Sequence, residues 1–126
     1  MRASVLWAAL ALAGAGCGGK PELLTSHGKP VSHWLAEVKK PDANARRKAV
    51  LALGHVGDAD PAVLPCLIAA VKDRDAGVRK QAIVALLNLG PKAKEAAPIL
   101  EACKSDRDAS VRLYAAKALQ RSQSDK

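Results

Sequence analysis

Catalysis or metal binding needs side chains that attack, move a proton or donate a lone pair, so the histidines, cysteines and carboxylates come first. The chain has three histidines, His27, His33 and His55, and three cysteines, Cys17, Cys66 and Cys103. The histidines share no face and no metal-ligand spacing. A zinc site would have to gather His33 with Cys66 and Cys103, and nothing in their spacing favours that. No Ser–His–Asp set, nucleophile elbow, glycine-rich phosphate loop or convergent carboxylate pair is present. The expectation is a protein with no catalytic residues, no metal, no cofactor and no evident small-molecule substrate.

The remaining charged residues are ordered by a repeat. Asp42-x-x-x-Arg46 recurs as Asp75-x-x-x-Arg79 and as Asp108-x-x-x-Arg112, each copy 33 residues after the last. Ala49, Ala82 and Ala115 coincide in this register, as do Ala52, Ala85 and Ala118, and Leu53, Leu86 and Leu119. Upstream, Trp34 falls on Leu67 and Leu100, and Pro65 on Pro98. A fixed period of this length marks stacked supersecondary units.

Each unit reads as two helices. Val78, Ala82, Leu86 and Leu89 form a helical stripe, with Asp75 placed as its N-cap and Gly90 beyond its end. Gly57 holds the same place one unit earlier. Asp60-Pro61 reads as the start of a first helix running through Val63, Leu67 and Val71. The spacing predicts hairpins of 31–40 with 43–56, 61–72 with 76–89, and 93–104 with 109–121. Pro65 and Pro98 fall just inside first helices, where each should remove a hydrogen bond and bend the helix. Composition agrees with close-packed helices: hydrophobic residues make up 49% of the chain, aromatics 2%, and Phe is absent.

The Asp-x-x-x-Arg-x-x-Ala-x-x-Ala-Leu pattern, read at Asp75 to Leu86, resembles the short HEAT-like repeats related to those of phycobilisome lyases. The resemblance covers about residues 31–121. It implies an all-α, right-handed α-solenoid of about three two-helix repeats, with units near 31–57, 58–90 and 91–121 in a domain spanning 31–126. It also implies a kinked first helix in each unit and second helices lining a concave face. In that reading Asp42, Asp75 and Asp108 cap their helices, and Arg46, Arg79 and Arg112 bond to caps and turns of adjoining units. These pairs are therefore expected to be structural.

Residues 1–16 form a separate object. Arg2 precedes an uncharged, mostly apolar run from Ala3 to Ala13, followed by small residues and then Cys17. The run is short for a membrane span and has the parts of an export signal. Cleavage after Ala13-Gly14-Ala15 would free a soluble protein. Alternatively, Ala13-Gly14-Ala15-Gly16-Cys17 resembles a bacterial lipobox, with Gly14 where the pattern prefers Leu, implying lipidation of Cys17. The second ending is preferred, with residues 17–30 as an irregular tether and the product a membrane-anchored lipoprotein of the bacterial cell envelope. Acylation at one cysteine with more than one chain suffices for stable anchoring.

With a formal net charge of +8, acidic partners are the natural ones. Stacking the outward positions of the second helices by the 33-residue register gives a basic ribbon, with Arg47, Lys48, Lys80, Gln81, Tyr114 and Lys117 as candidate partner-binding residues. Lys39, Lys40, Lys72, Arg74, Lys104 and Arg107 fall at the turns, where cations complement the ends of the first helices. Cys66 and Cys103 fall four register positions apart on adjacent first helices, so free thiols packed as small hydrophobes are expected over a disulfide. The resulting expectation is a non-enzymatic interaction or scaffold module that docks an acidic surface or peptide of another protein. A lyase- or chaperone-like role is the alternative. A basic nucleic-acid-binding HEAT array is a weaker alternative; no nucleic acid is expected as partner, because of the export signal and because Tyr114 is the only aromatic on the ribbon.

Overall fold

The computed structural model describes residues 25–124; the segment expected to be an export signal, Cys17 and most of the expected tether lie outside the described residues. A two-residue-per-strand hairpin comes first, β1 (Thr25–Ser26) and β2 (Lys29–Pro30). Helices then follow in pairs: α1 (Val31–Glu37) with α2 (Ala43–Val56), α3 (Val63–Ala70) with α4 (Ala76–Leu89), and α5 (Ala97–Cys103) with α6 (Ala109–Ser122). Short 3₁₀ turns at Gly57–Ala59 and Gly90–Ala96 link one pair to the next. This is an all-α solenoid. Among the described residues no helix is long and apolar enough to cross a membrane.

The second helices begin where their aspartates can accept free backbone N–H groups. Asp42 Oδ2 accepts from the Ala45 amide at 3.0 Å, Asp75 Oδ2 from Val78 at 3.0 Å, and Asp108 Oδ1 from Ser110 at 2.8 Å and Val111 at 3.1 Å. Each cap holds one end of a 14-residue helix. At the other end Gly57 and Gly90 adopt φ near +60° with ψ −137° and −133°, a conformation that costs other residues a steric clash. Their ψ is extended, so the chain leaves each helix into the 3₁₀ turn without making a left-handed helical cap. The same register position after α6 is Gln123, with φ −100°.

The repeated apolar positions meet in one continuous core. Trp34, Leu67 and Leu100 come from the first helices, and Leu53, Leu86 and Leu119 from the second, all buried. Val50 and Ile83 are fully buried, whereas Ala116, at the same position of α6, is exposed. Alanines at 49, 52, 82 and 85 have no exposure above 3%. Small residues there let the second helices approach closely. A Cβ added to Gly54 would lie 2.9 Å from Ala85 Cβ, so α2 and α4 are in contact at backbone level.

Two expectations about the first helices need correction. They are shorter than the spacing predicted, and the prolines do not bend them from inside. Pro65 is the third residue of α3 and Pro98 the second of α5. A first-turn amide has no intrahelical partner, so proline there removes no helical hydrogen bond. The break lies earlier in the third unit, where Ala93 leaves helical geometry (φ −101°, ψ 23°) inside the 3₁₀ segment. Asp60 does not cap α3 directly either; its Oδ1 accepts from the Ala62 amide at 2.8 Å, turning the chain before the helix begins.

The end of the tether is also more ordered than expected. Thr25 pairs with Pro30 and Ser26 with Lys29, across a turn in which His27 (φ 53°) and Gly28 (φ 75°) both take positive φ. Two consecutive positive φ values define the turn that matches the twist of a tight hairpin. Trp34 Nε1 donates to Ser26 O at 2.9 Å, fastening the hairpin to α1. Its sequence signal, His-Gly between two-residue strands, is weaker than the usual Asn-Gly or Asp-Gly.

Candidate functional site

The arginines of the repeated motif form a ladder between units. Arg46 Nε and Nη2 donate to both carboxylate oxygens of Asp73, at 2.8 and 3.0 Å, and Nη1 donates to the carbonyls of Lys40 and Pro41. Arg79 repeats the arrangement on Asp106, at 3.0 Å twice, with Nη1 on Asp73 O and Arg74 O. A planar guanidinium suits this use, since one face of the fork takes a carboxylate and the remaining nitrogen ties down a turn. Among the described residues Arg112 keeps only the turn contact, Nη1 to Asp106 O at 2.7 Å, and it stands exposed. The Arg46 and Arg79 rungs thus bond to the neighbouring unit, whereas among the described residues Arg112 bonds within its own.

The carboxylates that complete the ladder, Asp73 and Asp106, escaped the sequence reading. Each also accepts the amide of the capping aspartate two residues on, Asp75 or Asp108, at 2.8 Å. Burial alone would push both carboxyls up, but the guanidinium and amide bonds outweigh it and hold both below the usual carboxylate range. The Arg46 guanidinium is correspondingly raised, chiefly by its bond to Asp73. A signal was available: Asp73 and Asp106 stand 33 residues apart, the period of the repeat.

With Arg46 and Arg79 neutralised, the outward face of the second helices is basic. α2, α4 and α6 contain no Asp or Glu, yet carry Arg47, Lys48, Lys80, Arg112, Lys117 and Arg121 besides the two ladder arginines. Lys80 Nζ lies 5.3 Å and Lys117 Nζ 5.4 Å from the centre of the Tyr114 ring, so α4 and α6 jointly build an aromatic patch flanked by cations. Arg47 extends across Gly77 at the start of α4, where an added Cβ would come within 3.1 Å of its Nη1. Among the described residues Leu51 and Leu113 are the large apolar side chains left exposed, at 38% and 53%. Gln81 is half-buried on α4. Lys48 stands apart from the cluster, lining a cleft with His33, Glu37 and Asp42 at the hairpin end.

The turn cations are partly occupied. Lys40 pairs with Glu37 at 3.3 Å and Lys104 with Glu101 at 3.4 Å, each within its own turn. Cys66 and Cys103 are free thiols, as expected, although Cys66 is only half-buried. They line successive grooves between first helices, Cys66 beside Leu35 and Val38, Cys103 beside Val71 and Ile99. Burial pushes both thiols up, with Lys39 opposing it at Cys66; Asp106 adds to it and Arg79 opposes it at Cys103. Raised thiols are poor nucleophiles.

The histidines do not behave as the spacing suggested. His27 and His55 share a surface after all: His27 Nε2 lies 3.0 Å from His55 Nδ1. His33 is elsewhere, its ring edge-on to Trp34 at 4.7 Å. Among the described residues no three His, Cys, Asp or Glu side chains gather as metal ligands, so the arrangement of His33 with Cys66 and Cys103 does not occur.

No curated protein matches the chain at a significant level. The family model for HEAT repeats matches residues 31–120, from the start of α1 almost to the end of α6. The stacked helix pairs, the capped second helices and this match lead to one conclusion: the chain belongs to the HEAT-repeat family.

Proposed function

We propose that the outward face of α2, α4 and α6 docks an acidic segment of another protein, with apolar residues of that segment resting on Leu51, Tyr114 and Leu113. HEAT repeats generally mediate protein–protein contacts, and stacked repeats suit that role because they present one long continuous surface. The observation that carries the reading is the one-signed charge within the helices: beyond their capping aspartates, α2, α4 and α6 bear cations and no carboxylate. Arg47, Lys80 and Lys117 supply the attraction, and Tyr114 supplies a rigid surface at low entropic cost. Lys48 acts at the margin, and Gln81 can offer hydrogen bonds. In this reading the chain is a scaffold without catalytic chemistry of its own, exported through residues 1–16 and held to a bacterial envelope membrane by lipid on Cys17.

The test is capture of an envelope partner by immobilised wild-type protein. Binding should saturate, weaken with salt, and be lost in the triple charge reversal Arg47→Glu, Lys80→Glu, Lys117→Glu. Reversal of Lys72 and Arg107, on the turns, should leave it intact. Equal capture by both variants eliminates this face. Intact mass of protein taken from native membranes should show cleavage before Cys17 with added acyl chains; an unmodified Cys17 removes the anchor from the proposal.

A further inference from the structure

We propose that His27 and His55 form a two-nitrogen site for a divalent transition-metal ion, placed where the N-terminal hairpin meets the end of α2. His27 sits at the hairpin tip and His55 in the last turn of α2, 28 residues later, and both side chains are exposed. Their rings are nearly parallel, 4° apart, with centroids separated by 5.1 Å. At that separation, with Nε2 and Nδ1 only 3.0 Å apart, the rings meet edge to edge, each nitrogen facing the other. Without metal, an N–H of one ring donates a hydrogen bond to the bare nitrogen of the other.

That spacing is also the bite of a metal ion. Two imidazole nitrogens, each about 2.0 Å from one ion, lie about 2.8 Å apart at a right angle and about 3.3 Å apart at a tetrahedral one. The observed 3.0 Å falls between. Turning each ring by roughly 35–45° makes the two lone pairs converge, and the terminal histidine torsion is broad enough to allow it. Exposure leaves room for the turn.

Both ligands are held by structure. The two positive φ values of the hairpin turn fix His27, Trp34 ties that hairpin down through Ser26 O, and the Trp34 ring stands edge-on to the His27 ring at 6.1 Å. His55 is set by a helix fastened into the core at Ala52 and Leu53. No third His, Cys, Asp or Glu joins them among the described residues. Water fills the other coordination positions, and the site takes copper, nickel or zinc, ions that imidazole binds well. A bound ion fastens the chain just before the first unit onto that unit.

Zn²⁺ titration of the full chain, followed by calorimetry and by imidazole ¹⁵N shifts, tests this. Wild-type protein should bind one Zn²⁺ with shifts confined to His27 Nε2 and His55 Nδ1, and its melting temperature should rise with Zn²⁺. His27→Gln and His55→Gln should each weaken binding at least tenfold and abolish the rise. His33→Gln should change neither. All three variants alter side chains that are at most half-buried, and circular dichroism checks that they fold. Binding unchanged in His27→Gln, binding that tracks the cysteines instead, or no binding at submillimolar Zn²⁺ overturns the proposal and leaves the pair as a shared-proton contact.

Discussion

Arg79→Met and Arg112→Met make the same chemical change at the same motif position, yet they should have very different consequences. The Arg79 side chain is 10% exposed and binds both oxygens of Asp106, itself 12% exposed, while holding two turn carbonyls. Methionine keeps much of the volume but leaves Asp106 with a largely desolvated charge and strands those carbonyls. Breaking a buried pair from one side costs about 3–5 kcal/mol. For a domain of this size that lowers the melting temperature by on the order of 15–30 °C. Arg112 is exposed and bonds one carbonyl, so its loss should fall within about 0.5 kcal/mol, as for an ordinary surface change. Urea and thermal titrations by circular dichroism measure both. The double variant Arg79→Met, Asp106→Leu should recover much of the loss, because the stranded carboxylate is then gone. Equal costs for Arg79→Met and Arg112→Met, or an Arg79→Met cost below about 1 kcal/mol, would refute the ladder as the tie between units.

Two further outcomes follow from the packing and the carboxylates. Gly54→Leu improves helix propensity but drives a side chain into Ala85, so the protein should lose about 1–3 kcal/mol, measured by the same urea titration; a gain in stability would show that α2 and α4 are not in close contact. Asp73 and Asp106 are held below the usual carboxylate range in the folded protein, so their stabilisation is complete above about pH 4, the unfolded value, and is lost as pH falls through the lowered folded values. The melting temperature should therefore drop steeply with acid below about pH 4, and the variant Asp73→Asn, Asp106→Asn should show a flatter profile starting from lower stability.

Much of the helical plan was legible because its causes are local. Asp42, Asp75 and Asp108 cap the helices that directly follow them, and the apolar stripe of α4 needs only 3.6-residue geometry, so the second helices match expectation to within a residue. The 33-residue register likewise placed Trp34, Leu67 and Leu100 in one core. Where local signals are weak, expectation and structure differ: His27-Gly28 makes a hairpin turn in a stretch whose composition predicts irregular chain, and Pro65 and Pro98 stand nearer their helix starts than the spacing predicts.

Other features depend on how one unit is set against the next, and a period measured along the chain carries no angle or offset between units. Only packing decided that the arginine forks close on Asp73 and Asp106, 27 residues ahead, and that Lys48 stands apart from the Lys80–Tyr114–Lys117 patch. Packing also brought His27 against His55, because Trp34 folds the hairpin back over the end of α2. Helices are specified by neighbours in sequence; contacts between them are specified by the core they share.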